Sequence, residues 1–388
     1  MTLSPFESSP LQCAYYDADL CRSCTELAVP YQAQLRAKQL ECRLLLSAHP
    51  QVEWLPSVPS PQAGFRNKAK MVVSGTHEHP LLGIRNERGI AVDLSDCPLY
   101  PPAMQRCFPV LAQLITAARI EPYDVAGRRG ELKFVLLTLA EHSGELMVRF
   151  VLRSQEPIAR IRKHLPELLR SLPELRVVSA NLQPEHKAVL EGSEEILLTS
   201  QEHVAMRLNG IDLYLRPQSF FQTNSYVAAA LYAQVREWTC QTAPHCIWDL
   251  YCGVGGFALH VADCARDVVG VESSPEAIAS AELSRTGLGL INVRFETGDA
   301  TEFALRSAHA PDLVIVNPPR RGIGAELCAW LQASTVRTLV YSSCNAETLA
   351  RDLAAMPRFA LRQARVLDMF PHTRHYEVVT LLEDRDQA

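Results

Sequence analysis

The sequence predicts an α/β protein: a seven-stranded, doubly wound sheet at the carboxyl-terminal end, preceded by a mixed α+β domain. Three observations carry this. From about Arg216, short apolar runs at 247–250, 268–271, 293–296, 313–316 and 338–342 alternate with helical stretches, the rhythm of crossover units in a parallel sheet. Two more runs, 366–370 and 376–382, are joined by a short link and predict a closing antiparallel pair. Upstream the runs are joined instead by glycine-containing turns, and 388 residues are enough chain for two cores.

In chain order, residues 1–30 are polar and cysteine-bearing, with too few apolar positions for a core, so they must lean on the rest; residues 1–11 read as a disordered leader. Apolar residues at helical spacing predict an amphipathic helix over 31–49, and 54–62 is a Pro/Ser-rich break. Strands are predicted at 70–74, 81–86 and 90–93, with Gly89 in a typical turn. Longer strands at 132–140 and 146–153 flank the turn His142-Ser143-Gly144, and 158–169 reads as a helix. The chain thus divides into a leader and cysteine segment (1–30), a central α+β domain (31–213) and the doubly wound domain (214–388).

No apolar stretch approaches the roughly 20 residues of a membrane span, and the first residues lack the pattern of an export signal. A soluble, cytoplasmic protein is expected. Twelve cysteines in that setting argue against a disulfide scaffold and for metal binding or catalysis. The net charge of −5 is uneven, the central domain carrying +2. Within it Phe65-Arg66-Asn67-Lys68-Ala69-Lys70 interleaves an aromatic with cations, as a phosphate-binding surface does, and Arg85, Lys133, Arg320 and Arg321 could extend the track.

Ligands of open α/β sheets sit beyond the carboxyl ends of the strands, so the residues following each run are the informative ones. After the first comes Asp249-Leu-Tyr251-Cys-Gly253-Val-Gly255-Gly256, where glycines allow close backbone approach to a ligand. Glu272 follows the second, placed to accept hydrogen bonds from two ribose hydroxyls. The third leads to Gly298-Asp299, expected to face an adenine, and the fourth to Asn317-Pro318-Pro319-Arg320, whose prolines stiffen the turn and hold Asn317. The fifth ends in Ser342-Ser343-Cys344-Asn345, a thiol at a strand tip before a helix, whose amino terminus favours the thiolate. Glu377, in His375-Tyr376-Glu377, adds a carboxylate. Separately, Cys13, Cys21 and Cys24 are spaced C-x7-C-x2-C, and Cys97 lies in Asp96-Cys97-Pro98. Four thiolates suit a tetrahedral zinc or a cubane iron–sulfur cluster, and spacing does not choose between them.

Taken together, Ser219-Phe220-Phe221-Gln222-Thr223-Asn224, the Asp249 to Gly255 turn, Val271-Glu272, Asn317-Pro-Pro-Arg320, Ser342-Ser-Cys344-Asn345 and His375-Tyr-Glu377 resemble the RNA uracil-C5 methyltransferases. Tyr251 stands where that family more usually has Phe, which keeps an aromatic face for the cofactor. The resemblance implies a class I, Rossmann-like methyltransferase domain in which Gln222, Tyr251, Glu272, Asp299 and Asn317 bind S-adenosylmethionine, Cys344 is the nucleophile and Glu377 the base. It favours a 4Fe-4S cluster on Cys13, Cys21, Cys24 and Cys97, because Gln12-Cys13 to Asp17 and Cys21-Arg-Ser-Cys24 look like the opening of the branch that modifies large-subunit (23S) ribosomal RNA. The twelve residues before Cys13 leave no room for the amino-terminal barrel of some relatives. The implied partner is a loop uracil, or one flipped from its stack, bound by a monomer. Two rivals are an amino-group methyltransferase, which would place an aromatic after the prolines instead of Arg320 and needs no cysteine, and a non-catalytic RNA-binding assembly factor. Another rRNA or tRNA uracil is an alternative target.

Overall fold

The computed structural model describes residues 11–186 and 189–387. All but Leu11 of the expected leader lies outside them. In chain order the strands are β1 (Glu53–Trp54), β2 (Lys68–Gly75), β3 (Pro80–Arg85), β4 (Ala91–Asp93), β5 (Leu132–Ala140), β6 (Glu145–Leu152), β7 (Leu175–Leu182), β8 (Glu194–Leu197), β9 (Val204–Leu208), β10 (Ile211–Leu215), β11 (Cys246–Leu250), β12 (Asp267–Glu272), β13 (Val293–Thr297), β14 (Leu313–Val316), β15 (Thr338–Ser343), β16 (Phe359–Leu367) and β17 (Glu377–Asp384).

The larger sheet has the order β1-β16-β17-β15-β14-β11-β12-β13. Strands β11 to β15 are parallel, and every residue of β14 and β15 is buried, as helices on both faces require. Strand β17 is antiparallel to β15 and β16 and lies between them, so the closing antiparallel pair is present. Its first member is not where the apolar run lies. Strand β16 covers Phe359–Leu367, and only 366 and 367 of the predicted 366–370 belong to it. Buried and half-buried positions alternate along it, with Arg362, Gln363 and Arg365 on the outer side, so it lacks the continuous apolar run of its parallel neighbours. Strand β1 pairs in parallel with β16. The helix ahead of it, Tyr31–Leu45, is shorter than predicted, and its buried Lys38 reaches Asp368 beyond β16, Nζ to Oδ1 2.6 Å. The first part of the 31–213 segment therefore packs on the edge of the larger sheet.

The second sheet runs β4-β3-β2-β5-β6-β7-β8. It carries the helices Cys107–Ala117 and Ile158–Ser171 on its core. The β9–β10 hairpin and the helix Ser225–Thr242 bridge the sheets: Ala140, Met147 and Val177 share one core with Val204, Leu213, Leu231 and Trp238. Cys240 and Cys264 form a disulfide, Cα to Cα 4.8 Å, while ten other cysteines among the described residues are free, so disulfides are not the scaffold. Cys240 and Cys264 lie 24 residues apart in sequence, and only the docking of that helix beside the turn Ala262–Cys264 brings them together.

Candidate active site

The turn after β11 is shaped by backbone that few side chains tolerate. Tyr251, Gly253 and Gly255 all have positive φ, +66°, +55° and +80°. A Cβ on Gly255 would lie 2.7 Å from Phe295 Cζ, and one on Gly256 2.4 Å from Tyr232 Oη. The turn delivers the Gly253 N–H to Glu272 Oε2 at 3.2 Å, while Ser273 Oγ (2.9 Å) and Ser274 N (3.0 Å) donate to Oε1. Glu272 is thus pre-oriented at the end of β12. Beneath the turn, Asp249 is fully buried and accepts from Ala258 N at 2.9 Å. Burial pushes its carboxyl up to about 8.

These groups open onto a cleft of about 600 Å³, and its walls include Gln222, Tyr251, Glu272, Asp299, Asn317, Cys344 and Glu377. Every residue expected there from the strand ends is brought to one space. Asp299 also caps the helix Ala300–Arg306, Oδ1 accepting from Thr301 N (2.8 Å) and Glu302 N (3.1 Å). Gln222 is set by the second sheet: Asn67 Nδ2 donates to the Gln222 carbonyl (3.1 Å) and to Ser225 Oγ (2.8 Å). Asn224 caps the following helix, accepting from Val227 N at 3.2 Å, and donates to Ser60 Oγ at 2.7 Å.

At the end of β15, Asn345 caps the helix Ala346–Ala354 and accepts from Glu347 N at 3.1 Å. That positive helix end lies beside half-buried Cys344, yet it does not prevail. Burial raises the thiol, the Glu377 charge adds to the rise, and the Arg320 guanidinium opposes it. Glu377 is 2% exposed and accepts from Ser342 Oγ at 2.7 Å. Burial pushes its carboxyl up to about 7, with the serine pulling the other way. Sequence reading missed Ser342, Tyr232, Phe370 and the action of Arg320 on the thiol; Phe370 was hidden by the run assigned to a strand. Phe220, 66% exposed, lines the cleft.

The expected phosphate track is only partly a surface. Phe65 and Asn67 are buried, and Lys133 is buried against the Gln183 side chain and the Glu185 carbonyl, Nζ to O 2.7 Å. Lys70, Arg85, Arg320 and Arg321 are exposed. In the cysteine segment, Tyr15 Oη accepts from Asp96 N at 3.3 Å, beside Cys97. The Cys24 and Cys97 thiols are pushed up to about 12 and about 11, by burial first and then by the other cysteines of the set.

The tRNA (Uracil-5-)-methyltransferase family pattern matches residues 193–385. The 23S rRNA (uracil(747)-C(5))-methyltransferase RlmC of Cronobacter sakazakii is 52% identical over 372 residues, 96% of this chain and 99% of its own. Its namesake from Escherichia coli O17:K52:H18 is 49% identical over the same shares. The crystal structure of Pyrococcus abyssi tRNA (uracil-54, C5)-methyltransferase in complex with S-adenosyl-L-homocysteine superposes with a TM-score of 0.78 at 29% identity, covering 92% of this chain and 85% of that one. With that likeness along nearly its whole length, the chain belongs to the RNA uracil-C5 methyltransferase family and is an S-adenosylmethionine-dependent enzyme.

Proposed function

We propose that this protein methylates carbon 5 of a uracil in 23S rRNA, at the position corresponding to 747, with Cys344 as nucleophile and Glu377 as base. The observation that carries the reading is that the Cys344 thiol, at a strand tip, and the buried Glu377 carboxylate lie on the wall of the cleft that holds the glycine turn and Glu272. Gln222, Tyr251, Glu272, Asp299 and Asn317 would hold S-adenosylmethionine, which supplies an electrophilic methyl group. Carbon 5 of uracil is a poor nucleophile. The Cys344 thiolate adds to carbon 6, and the ring becomes an enolate with electron density on carbon 5. Arg320 offsets the charge of the thiolate. Once carbon 5 carries the methyl group, Glu377 takes its proton, and the electron pair left behind expels Cys344 and restores the double bond.

The RNA meets this cleft from the side of the second sheet and the exposed cations Lys70, Arg320 and Arg321, with Phe220 available to stack a base. The second sheet of the 31–213 segment supplies this RNA-binding part, and 214–388, with β1 at the edge of its sheet, the methyl-transfer part. All the groups named lie in one chain, so a monomer suffices, and its place of work is the cytoplasm. Cys13, Cys21, Cys24 and Cys97 would hold a 4Fe-4S cluster, as the family resemblance implies: they are four half-buried thiols, and at Cys24 and Cys97 burial and the charge of the other cysteines oppose ionisation, a cost that a cationic centre would offset. The cluster would staple a segment that has no core of its own.

Tritium at uracil carbon 5 tests the reaction, since it reaches water only if that position is methylated. Cys344→Ala should abolish both tritium release and the covalent adduct with 5-fluorouracil RNA, and near-normal turnover by that variant would overturn the scheme. Mapping 5-methyluridine in 23S rRNA from cells lacking the protein tests the site. Anaerobically purified protein should be brown and contain iron; colourless protein with zinc would reject the cluster.

A further inference from the structure

We propose that Ser342 is a positioning residue for the Glu377 carboxylate, holding Oε1 so that Oε2 is the oxygen that takes the carbon 5 proton. This rests on the reading of Glu377 as the base. The two residues are 35 apart in sequence and meet because β17 lies antiparallel against β15, with Ser342 opposite Val379 and Ser343 opposite Val378. Both are buried, Ser342 at 0% and Glu377 at 2% exposure, and the Oγ to Oε1 distance is 2.7 Å.

A buried carboxylate that is to ionise needs a donor, and among the described residues Ser342 is the one that reaches this side chain. The neighbouring hydroxyl does different work. Ser343 Oγ accepts from Asn345 N at 3.1 Å and donates to the Asn345 carbonyl at 2.9 Å, building the turn under Cys344. Ser342 and Cys344 lie two residues apart on the same strand end, so that strand sets the spacing of thiol and base. The other titratable groups that face Glu377 are Cys344 itself and Tyr232 on the helix Ser225–Thr242, with Arg320 beyond the thiol.

The test uses the full chain, S-adenosylmethionine and a 23S rRNA fragment tritiated at uracil carbon 5. First-turnover methyl incorporation and tritium release are followed separately across pH in Ser342→Ala, Ser342→Thr, Ser342→Val and Glu377→Gln. Ser342→Ala should incorporate the methyl group normally but release tritium about 10- to 100-fold more slowly, the share that a hydrogen bond to a charged group carries. Its release should also need a higher pH, because the ionised carboxylate has lost its donor. Ser342→Thr should restore both, and Ser342→Val, of the same shape without the hydroxyl, should not. The Thr and Val pair keeps the comparison decisive if Ser342→Ala folds poorly. Wild-type release rate and pH profile in Ser342→Ala and Ser342→Val, while Glu377→Gln traps the adduct, would overturn the positioning role alone. Wild-type release by Glu377→Gln would instead remove the base assignment, and this proposal with it.

Discussion

In the proposed role of base, Glu377 would serve chemistry at a cost to the fold. Burial pushes its carboxyl up to about 7, well above the ordinary 4.5, so below that pH the proposed base would be protonated and could not accept from carbon 5. Turnover should therefore climb between about pH 6 and about pH 8, and the raised Cys344 thiol pushes in the same direction. A flat kcat profile over that range would contradict both assignments. The sign for stability is opposite. The folded state holds the Glu377 proton where the unfolded chain has lost it, so this group's contribution falls as pH rises from about 4.5 through about 7. Glu377→Gln keeps an acceptor for Ser342 without the charge, so at pH 8 it should melt above the parent while failing to release product. A calorimetric scan and the adduct gel read the two outcomes separately.

The elements around the cleft depend on a few local contacts with steep penalties. Gly255 combines a φ of +80° with a missing Cβ whose place is 2.7 Å from the Phe295 ring and 3.2 Å from Ala281 Cβ. Gly255→Ala should cost roughly 2–4 kcal/mol by strain and overpacking, measured by denaturant unfolding, and should weaken S-adenosylhomocysteine binding as the turn shifts. Asn224→Ala removes a helix cap and the bond to Ser60. A loss of about 1–2 kcal/mol is expected, with weaker cofactor binding because Gln222 lies two residues before the cap. Other elements were hidden from the sequence for a physical reason. Strand β16 sits near the sheet edge, covered on one side only by the two residues of β1, and its outward residues stay polar. A method that looks for apolar runs finds the parallel strands, buried on both faces, and slides off this one.

Across the whole molecule, segments far apart in sequence are tied by few but costly contacts. Lys38 and Asp368 are 330 residues apart, both buried, and joined at 2.6 Å. Lys38→Ala leaves a buried, unpaired carboxylate and should cost about 3–5 kcal/mol in urea unfolding, whereas a loss below about 1 kcal/mol would show the pair to be dispensable. The cysteine segment is tied down differently, by polar contacts such as Tyr15 to Asp96. If the segment carries the proposed cluster, chelation should expose residues 11–30 to protease while the larger sheet stays folded. Cooperative loss of both would show that the segment is part of the core.

The sequence by itself determined the parallel sheet and the identity of the residues beyond its strands, Tyr251, Glu272, Asp299, Asn317 and Cys344, because both follow from local order: an apolar run, then a turn. Only the tertiary structure decided which groups meet across the chain. It placed Ser342 on Glu377, Arg320 beside Cys344 and Asn67 behind Gln222. It also withdrew Phe65 and Lys133 from the surface and joined Cys240 to Cys264. Burial and long-range hydrogen bonding depend on which surfaces pack together, and they are what turned a lone thiol and an unremarkable glutamate into a pair on one cleft wall.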